Sequence, residues 1–299
     1  MARRARVIPG FSLSLGYTVF YLSLVVLLPL AALFVRSATL GWGQFWATIT
    51  SEWTLSATRF TLGASLLAAA INVVFGFLVA WVLARYSFPG RRAVDAIIDL
   101  PFALPTAVAG IALTALYSER GWIGSALAKI GFQYPWPSWR GFGEGGWPIE
   151  VTMYSNVALA PLGVVVALAF VGLPFVVRTV QPVLEDMSRD VEEAAASLGA
   201  RRWQTFRLVI LPQVWPALLT GFALAFARGL GEYGTVIFIS GNRPDTEIAP
   251  KVIINMIEMN QTGNYADATA VALLLLVASF TILLGINVLQ RWTARGVAA

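Results

Sequence analysis

Six long apolar stretches do most to restrict what this chain can fold into. They cover residues 13–35, 60–83, 97–117, 157–177, 213–240 and 268–289. Each is long enough for the ~20 residues that a helix needs to cross a bilayer, and a helix satisfies its own backbone hydrogen bonds there. The first stretch is longer than the ~7–15-residue core of a secretory signal. The sequence therefore predicts an all-α integral membrane protein with six transmembrane helices.

The composition excludes several classes of function. Charged residues make up 12% of the chain, against about a quarter in a soluble protein. Cysteine and histidine are both missing from the sequence, which removes thiolate nucleophiles, disulfides and zinc sites built on those ligands. There is also no G-x-x-x-x-G-K-[ST] phosphate loop. We expect a chain that is not an enzyme, holds no metal or cofactor of its own, and lies in a lipid bilayer.

The lysines and arginines predict the orientation. Because the number of stretches is even, both termini lie on one side. That side also carries most of the basic residues, which are Arg3, Arg4, Arg6, Arg85, Arg91, Arg92, Arg178, Arg189, Arg201, Arg202, Arg207, Arg291 and Arg295. The opposite side carries Arg36, Arg59, Arg120, Lys129, Arg140, Arg243 and Lys251. The positive-inside rule makes the first side cytoplasmic. The dispersed basic residues do not form the stripe of a nucleic-acid-binding protein.

This topology divides the chain into a membrane domain and two tails. We predict cytoplasmic tails at 1–12 and 291–299 and a single six-helix transmembrane domain at 13–290. The domain has a cytoplasmic loop at 185–212 and an external loop at 118–156. The external loop contains four tryptophans, Trp122, Trp136, Trp139 and Trp147. They are either interface anchors or a contact for a partner outside the membrane.

The cytoplasmic loop carries a spaced motif. It consists of Glu-Ala-Ala, a glycine six residues after the glutamate, and a closing Leu-Pro, at Glu193, Ala194, Ala195, Gly199, Leu211 and Pro212. Small side chains let a helix approach a partner surface closely, and the surrounding charges suit a polar contact. A solvated loop helix is the alternative. The full spacing resembles the EAA loop of ABC importer permeases, whose short cytoplasmic helix docks into a cleft on an ATPase subunit.

Two of the apolar stretches contain features that break a helix. In the third, Pro101 and Pro105 remove backbone donors next to Thr106. In the fifth, Arg228 and Glu232 stand four residues apart in an apolar run, so they share a helix face. Ionisable groups inside a span usually face a cavity. We predict that Arg228, Glu232, Thr106 and Pro105 line a transport pathway; the alternative is an ion pair that only stabilises a helix contact.

Longer strings extend the resemblance to nearly the whole chain. They are RYSFPGRRAVDAIIDLPFALPTAVAG, PFVVRTVQPVLEDM and LPQVWPALLTGFALAFARGLGEYGTVIFISGN. They look like the T-type permease family of the bacterial sulfate/thiosulfate ABC importers. The resemblance implies the type I ABC importer permease (MetI-like) architecture and a place in the bacterial inner membrane. One departure is the external loop, which is longer than the family leads us to expect.

The resemblance also implies a set of partners. They are a second permease of the W type, two copies of a cytoplasmic ATPase that uses ATP and Mg, and a periplasmic sulfate-binding protein. Two other functions remain open on the residues alone. One is a permease for molybdate or tungstate. The other is an ion-coupled secondary anion transporter, which would leave the EAA-like loop unexplained.

Overall fold

A computed structural model describes residues 11–118, 120–130, 139–142, 148–151, 161–240, 246–259 and 265–297. At residues 12, 139–142, 148–151 and 291–297 it describes the backbone alone.

The first two predicted spans are helices. The first comprises α1 (Phe11–Leu22), a π-helical turn (Ser23–Leu27) and α2 (Leu28–Ala38). A short helix, α3 (Trp42–Ile49), leads to α4 (Glu52–Arg85), which has 34 residues. The hydroxyl oxygen of Ser51 caps α4 by accepting a hydrogen bond from the Thr54 N–H. With 34 residues, α4 is longer than the ~20 residues that a helix needs to cross a bilayer.

The third predicted span is broken into three short helices. They are α5 (Arg91–Ile98), α6 (Leu100–Ala103) and α7 (Thr106–Tyr117). Leu104 has an extended backbone, with φ −83° and ψ 135°. The cause is Pro105, because a proline ring disfavours the helical conformation in the residue before it. The proline signal in the sequence therefore marked a true break.

The segment after α7 contains the described strands. Helix α8 (Trp122–Lys129) precedes two antiparallel strands, β1 (Trp139–Phe142) and β2 (Pro148–Val151). The predicted helical membrane fold is confirmed, with this small hairpin as a correction to the all-α description. Trp122 on α8 is 85% exposed. Trp136 and Trp147, and the side chain of Trp139, lie outside the described part of the chain.

The second half of the chain begins with α9 (Pro161–Asp186) and α10 (Arg189–Ser197). Next come α11 (Arg202–Thr205), a π-helical turn (Phe206–Ile210) and α12 (Leu211–Leu230), which follow one another without a gap. The fifth predicted span then breaks after Leu230 and resumes as α13 (Gly234–Ile239). The last helices are α14 (Ala249–Met259) and α15 (Ala266–Val297).

The core lies where α4, α9 and α12 pack against one another. Phe226, Leu83, Leu184 and Val176 are buried there almost completely. Gly76 and Gly221 bring the helix backbones close, since a Cβ on either would lie 2.9 Å or less from an atom of Val176. Small residues at helix contacts are typical of membrane proteins, in which close packing replaces the hydrophobic effect.

Within the described residues, five helices have the length and composition of a membrane span. They are Leu13–Ala38, Glu52–Arg85, Pro161–Asp186, Arg202–Leu230 and Ala266–Gln290. The third predicted stretch is missing from this group because it is broken. Helix α9 continues beyond the predicted end of the fourth span to Asp186, so Arg178 lies within this helix.

Candidate coupling loop and transport pathway

The first part of the EAA-like motif lies on α10. The Asp190 N–H donates to Ser188 Oγ at 3.2 Å and so caps the helix. Asp190 and Glu192 lie in the first turn, where negative charge stabilises the helix dipole. Glu193 and Ala194 are exposed, and Ala195 is half-buried. This arrangement leaves one side of α10 open to a partner.

Gly199 ends α10 in a left-handed conformation, with φ +84°. The Ala200 N–H donates to the carbonyl of Ala195 at 3.0 Å, and the Gly199 N–H donates to that of Ala196 at 2.9 Å. These two bonds form a Schellman motif, which favours glycine at this position. A Cβ on Gly199 would meet nothing within 4 Å. The left-handed backbone conformation by itself favours glycine at this position.

The end of the motif lies on another helix. Leu211 and Pro212 occupy the first positions of α12, directly after the π-helical turn Phe206–Ile210. The motif thus extends from α10 through the Gly199 turn to the start of a membrane span.

Large apolar side chains are exposed around this turn. Leu198 is 89% exposed, Leu208 70% and Trp203 67%. Arg201 and Arg202, which are also exposed, flank them. Apolar groups that are contiguous and rimmed by charge mark interaction sites on proteins. We call the set Leu198, Trp203 and Leu208 the coupling patch.

The coupling loop is attached to α4 at two places. Arg85 Nη2 lies 2.6 Å from Glu192 Oε1, and the Arg85 guanidinium lies 5.6 Å from the centre of the Trp81 ring. Phe206 also contacts two aromatic rings of α4, with centroids 5.9 Å from Phe77 and 6.1 Å from Trp81. The coupling loop thus packs against the C-terminal end of α4.

The predicted pathway residues of the fifth span form an ion pair. Arg228 Nη1 lies 2.6 Å from Glu232 Oε2. The Glu232 side chain is 1% exposed and that of Arg228 32%. The other carboxylate oxygen of Glu232 accepts hydrogen bonds from the backbone N–H of Thr235, at 2.8 Å, and from its hydroxyl. A buried carboxylate needs such partners, and they hold Glu232 at the gap between α12 and α13.

The broken third span meets this gap. A Cβ on Gly234 would lie 2.2 Å from Thr106 Oγ1, so the start of α7 touches the start of α13. A Cβ on Gly110 would likewise lie 2.6 Å from the carbonyl oxygen of Thr235, so these two residues also touch. Thr106 is half-buried and Pro105 exposed. The structure thus brings Thr106 close to the segment that carries Glu232, and both helix breaks lie at one place.

Sequence reasoning missed a buried polar cluster in the 246–259 segment. Glu247 accepts hydrogen bonds from Trp53 Nε1 at 2.5 Å and from Asn255 Nδ2 at 2.6 Å, and lies 3.6 Å from Lys251 Nζ. Glu247 is 7% exposed and Lys251 8%. The i, i+4 spacing of Glu247 and Lys251 was visible in the sequence, but the approach of Trp53 was not.

A second missed group joins α5 to α9. Arg178 forms ion pairs with Asp95 at 2.7 Å and with Asp99 at 2.6 Å. The two aspartates stand four residues apart, so they share one face of α5 and its end. That spacing was a usable signal, although it did not identify the partner on α9.

Comparison with known families agrees with this fold. The model of the family described as "Binding-protein-dependent transport system inner membrane component" matches residues 72–299. The chain belongs to this family, and it is therefore a transport subunit of the inner membrane rather than a catalytic one.

Individual relatives are more specific. The chain is 45% identical to the sulfate transport system permease protein CysT of Escherichia coli (strain K12), over 98% of this chain and 96% of that protein. It is also 45% identical to the protein of the same name from Synechococcus elongatus, with 95% of this chain and 93% of that protein covered.

Solved structures resemble the chain in fold. One is a chain of a bacterial alginate ABC transporter, crystallised with an alginate pentasaccharide-bound periplasmic protein. Its TM-score is 0.70 at 19% identity, with 94% of this chain and 93% of that chain covered. Another belongs to the MetNI methionine ABC transporter in inward-facing conformations, with a TM-score of 0.53 at 15% identity, over 85% and 99% of the chains.

Proposed function

We propose that this chain is a permease subunit of an ATP-driven importer that carries sulfate or thiosulfate across the bacterial inner membrane. The observation that supports this most is the 45% identity to a sulfate transport permease over almost the full length of both chains. Membership of the binding-protein-dependent family supports the same class of transporter.

The proposed importer is a complex. In this complex, the chain pairs with a second permease of the W type. Two copies of a cytoplasmic ATPase bind on the cytoplasmic side, and a periplasmic sulfate-binding protein delivers the anion. The ATPase, and not this chain, uses ATP and Mg. The distribution of arginines supports cytoplasmic termini and a cytoplasmic coupling loop, on the side where ATP is found.

The ATPase contact is assigned to the EAA-like motif. Glu193, Ala194 and the coupling patch are exposed on the surface, and the Gly199 turn lies between Ala194 and Trp203 in the chain. Leu211 and Pro212 connect this surface directly to α12. When the ATPase subunits close around ATP, movement of α10 is expected to reach α4 and α12 and to switch the pathway from inward-facing to outward-facing.

The anion pathway is assigned to Arg228, Glu232, Thr106 and Pro105. A dianion in a low-dielectric constriction needs positive charge or converging donors, because an unpaired charge there costs several kcal/mol or more. Arg228 is one-third exposed while its partner Glu232 is almost fully buried, so the guanidinium can reach a passing anion without uncovering the carboxylate. Partial neutralisation by Glu232 keeps the site weak, which favours release.

The function is tested by reconstitution. The chain is co-expressed with the proposed ATPase, second permease and binding protein from the same organism, and the complex is placed in proteoliposomes. We expect ATP-dependent uptake of radiolabelled sulfate that needs the binding protein. Excess unlabelled thiosulfate should compete, and excess molybdate should not. Uptake that is driven by an ion gradient without ATP, or that molybdate alone abolishes, refutes the proposal.

A further inference from the structure

One arginine holds α5 against α9 with a two-pronged contact. Arg178 Nε and Nη2 donate to the two carboxylate oxygens of Asp99, at 2.9 and 2.6 Å. Its Nη1 donates to Asp95 Oδ1 at 2.7 Å, and Nη2 also reaches the Asp95 carbonyl at 3.0 Å. We call Arg178, Asp95 and Asp99 the Arg178 clamp. A planar guanidinium fits a carboxylate through two parallel bonds, which a lysine cannot form.

The clamp orients α5 relative to α9 more than it stabilises the folded chain. The side chains of Arg178, Asp95 and Asp99 are 33%, 42% and 47% exposed. A simple ion pair at such exposure contributes little to folding. Two parallel bonds to Asp99 and two further bonds to Asp95 nevertheless fix the orientation of α5 relative to α9. The clamp is therefore suited to transmit a movement between the two helices.

Helix α9 is weakened on both sides of the clamp. Pro174 and Pro182 both lie inside this helix, each four residues from Arg178. A proline lacks the N–H that would bond to the carbonyl four residues earlier, and such sites are where helices bend. Six residues after Pro182 stands Ser188, the N-cap of α10. Helix α9 therefore has a possible bending site on each side of the clamp, and its end connects to α10 within a few residues.

The other side of the clamp leads to the transport pathway. Asp99 directly precedes α6, and Pro105 and the start of α7 follow it after one short turn of helix. The start of α7 touches α13 at Thr106 and Gly234, two residues from Glu232. A path of backbone connections and side-chain contacts therefore runs from α10 along α9, through the clamp and α7, to the segment that carries Glu232.

We propose that the Arg178 clamp is a positioning element that makes the broken third segment follow the coupling loop, so that closure of the ATPase subunits around ATP switches the pathway. This inference rests on the proposed function, since it assumes that α10 docks on an ATPase. Arg178 does not touch the anion in this scheme. Loss of Arg178 should uncouple the coupling loop from the transport pathway while leaving each of them intact.

The test compares sulfate uptake with ATP hydrolysis in the reconstituted importer. For Arg178→Ala we expect assembly and binding-protein-stimulated ATP hydrolysis within about twofold of wild type, and about a tenfold fall in sulfate imported per ATP, within the roughly 5- to 150-fold range of coupling between sites. For Arg178→Lys, the sulfate imported per ATP should lie between the values of wild type and Arg178→Ala. The exchange Arg178→Asp with Asp99→Arg should recover part of the lost uptake.

A matched control is available on the same two helices. Arg91 Nη2 lies 3.2 Å from Glu185 Oε1, with both side chains about two-fifths exposed. Arg91→Gln removes this single-pronged pair and should leave the sulfate-to-ATP ratio unchanged. An equal fall in Arg91→Gln and Arg178→Ala, or an unchanged ratio in Arg178→Ala, overturns the inference. Failure of Arg178→Ala to assemble overturns it too, because the clamp would then be a folding element.

A second readout does not depend on which anion is carried. Since the chain has no cysteine, Val108→Cys places one label on α7, at a side chain that is 48% exposed. ATP should change its labelling rate when Arg178 is present and not in the Arg178→Ala background. An equal change in both backgrounds refutes the relay. A wild-type importer that lacks sulfate uptake but shows the Arg178-dependent change refutes the proposed substrate and leaves the clamp supported.

Discussion

The glycine of the EAA-like motif offers a sharp test, because two physical reasons for it predict opposite results. Gly199 has a φ of +84°, and a Cβ there would meet nothing within 4 Å. If the backbone conformation is what matters, substitutions should follow the left-handed preferences of the residues. If close approach of the ATPase matters, they should follow side-chain size.

The two explanations predict different orders for alanine and asparagine at position 199. A residue with a Cβ pays roughly 1–2 kcal/mol in the left-handed region, while asparagine visits it more readily because its side chain can bond locally. If docking requires the turn as observed, Gly199→Ala should weaken ATPase docking roughly 5- to 30-fold, the factor that corresponds to that energy. Gly199→Asn should weaken it less, although asparagine is the larger residue.

The assay is a titration of the purified ATPase against the permease in nanodiscs, followed by sulfate uptake at saturating ATPase. Gly285→Ala is the control, since a Cβ on Gly285 in α15 also meets nothing within 4 Å but its φ is not positive. It should not change docking. Alanine tolerated as well as glycine, with asparagine clearly worse, would refute the conformational argument and restore close approach as the reason for Gly199.

Three further predictions concern topology, the pathway and the buried cluster. In intact cells, a membrane-impermeant thiol reagent should label Lys129→Cys on α8 and not Gln204→Cys in the coupling loop; the reverse pattern contradicts the assigned orientation. Arg228→Ala should assemble and hydrolyse ATP yet lose most sulfate uptake, whereas Arg228→Lys should keep some; normal uptake by Arg228→Ala would make the ion pair structural. Glu247→Ala should destabilise the folded chain by about 3–5 kcal/mol, because it leaves buried polar partners unpaired, and a thermal melt should show no comparable loss for the exposed Glu258→Ala.

Much of the membrane architecture could be predicted from the sequence, because it depends on local properties. Hydrophobic length predicted the spans, and the prolines predicted the break at Leu104 and Pro105. The interruption after Leu230 also lies where the charged and glycine residues stand. The single-domain division, the ATPase contact and the anion pathway stay predictions.

The tertiary structure decided which of these local features meet. Arg178 reaches Asp99 across 79 residues of chain, and Trp53 reaches Glu247 across 194. Hydrophobic periodicity shows which face of a helix is apolar, but it does not show which neighbour covers that face. The same limit applies to the contact between Thr106 and Gly234. The sequence by itself determined where helices form and break, since those depend on side chains close together in the chain. Packing alone determined the Arg178 clamp and the junction at Glu232, since these need distant helices to be brought together.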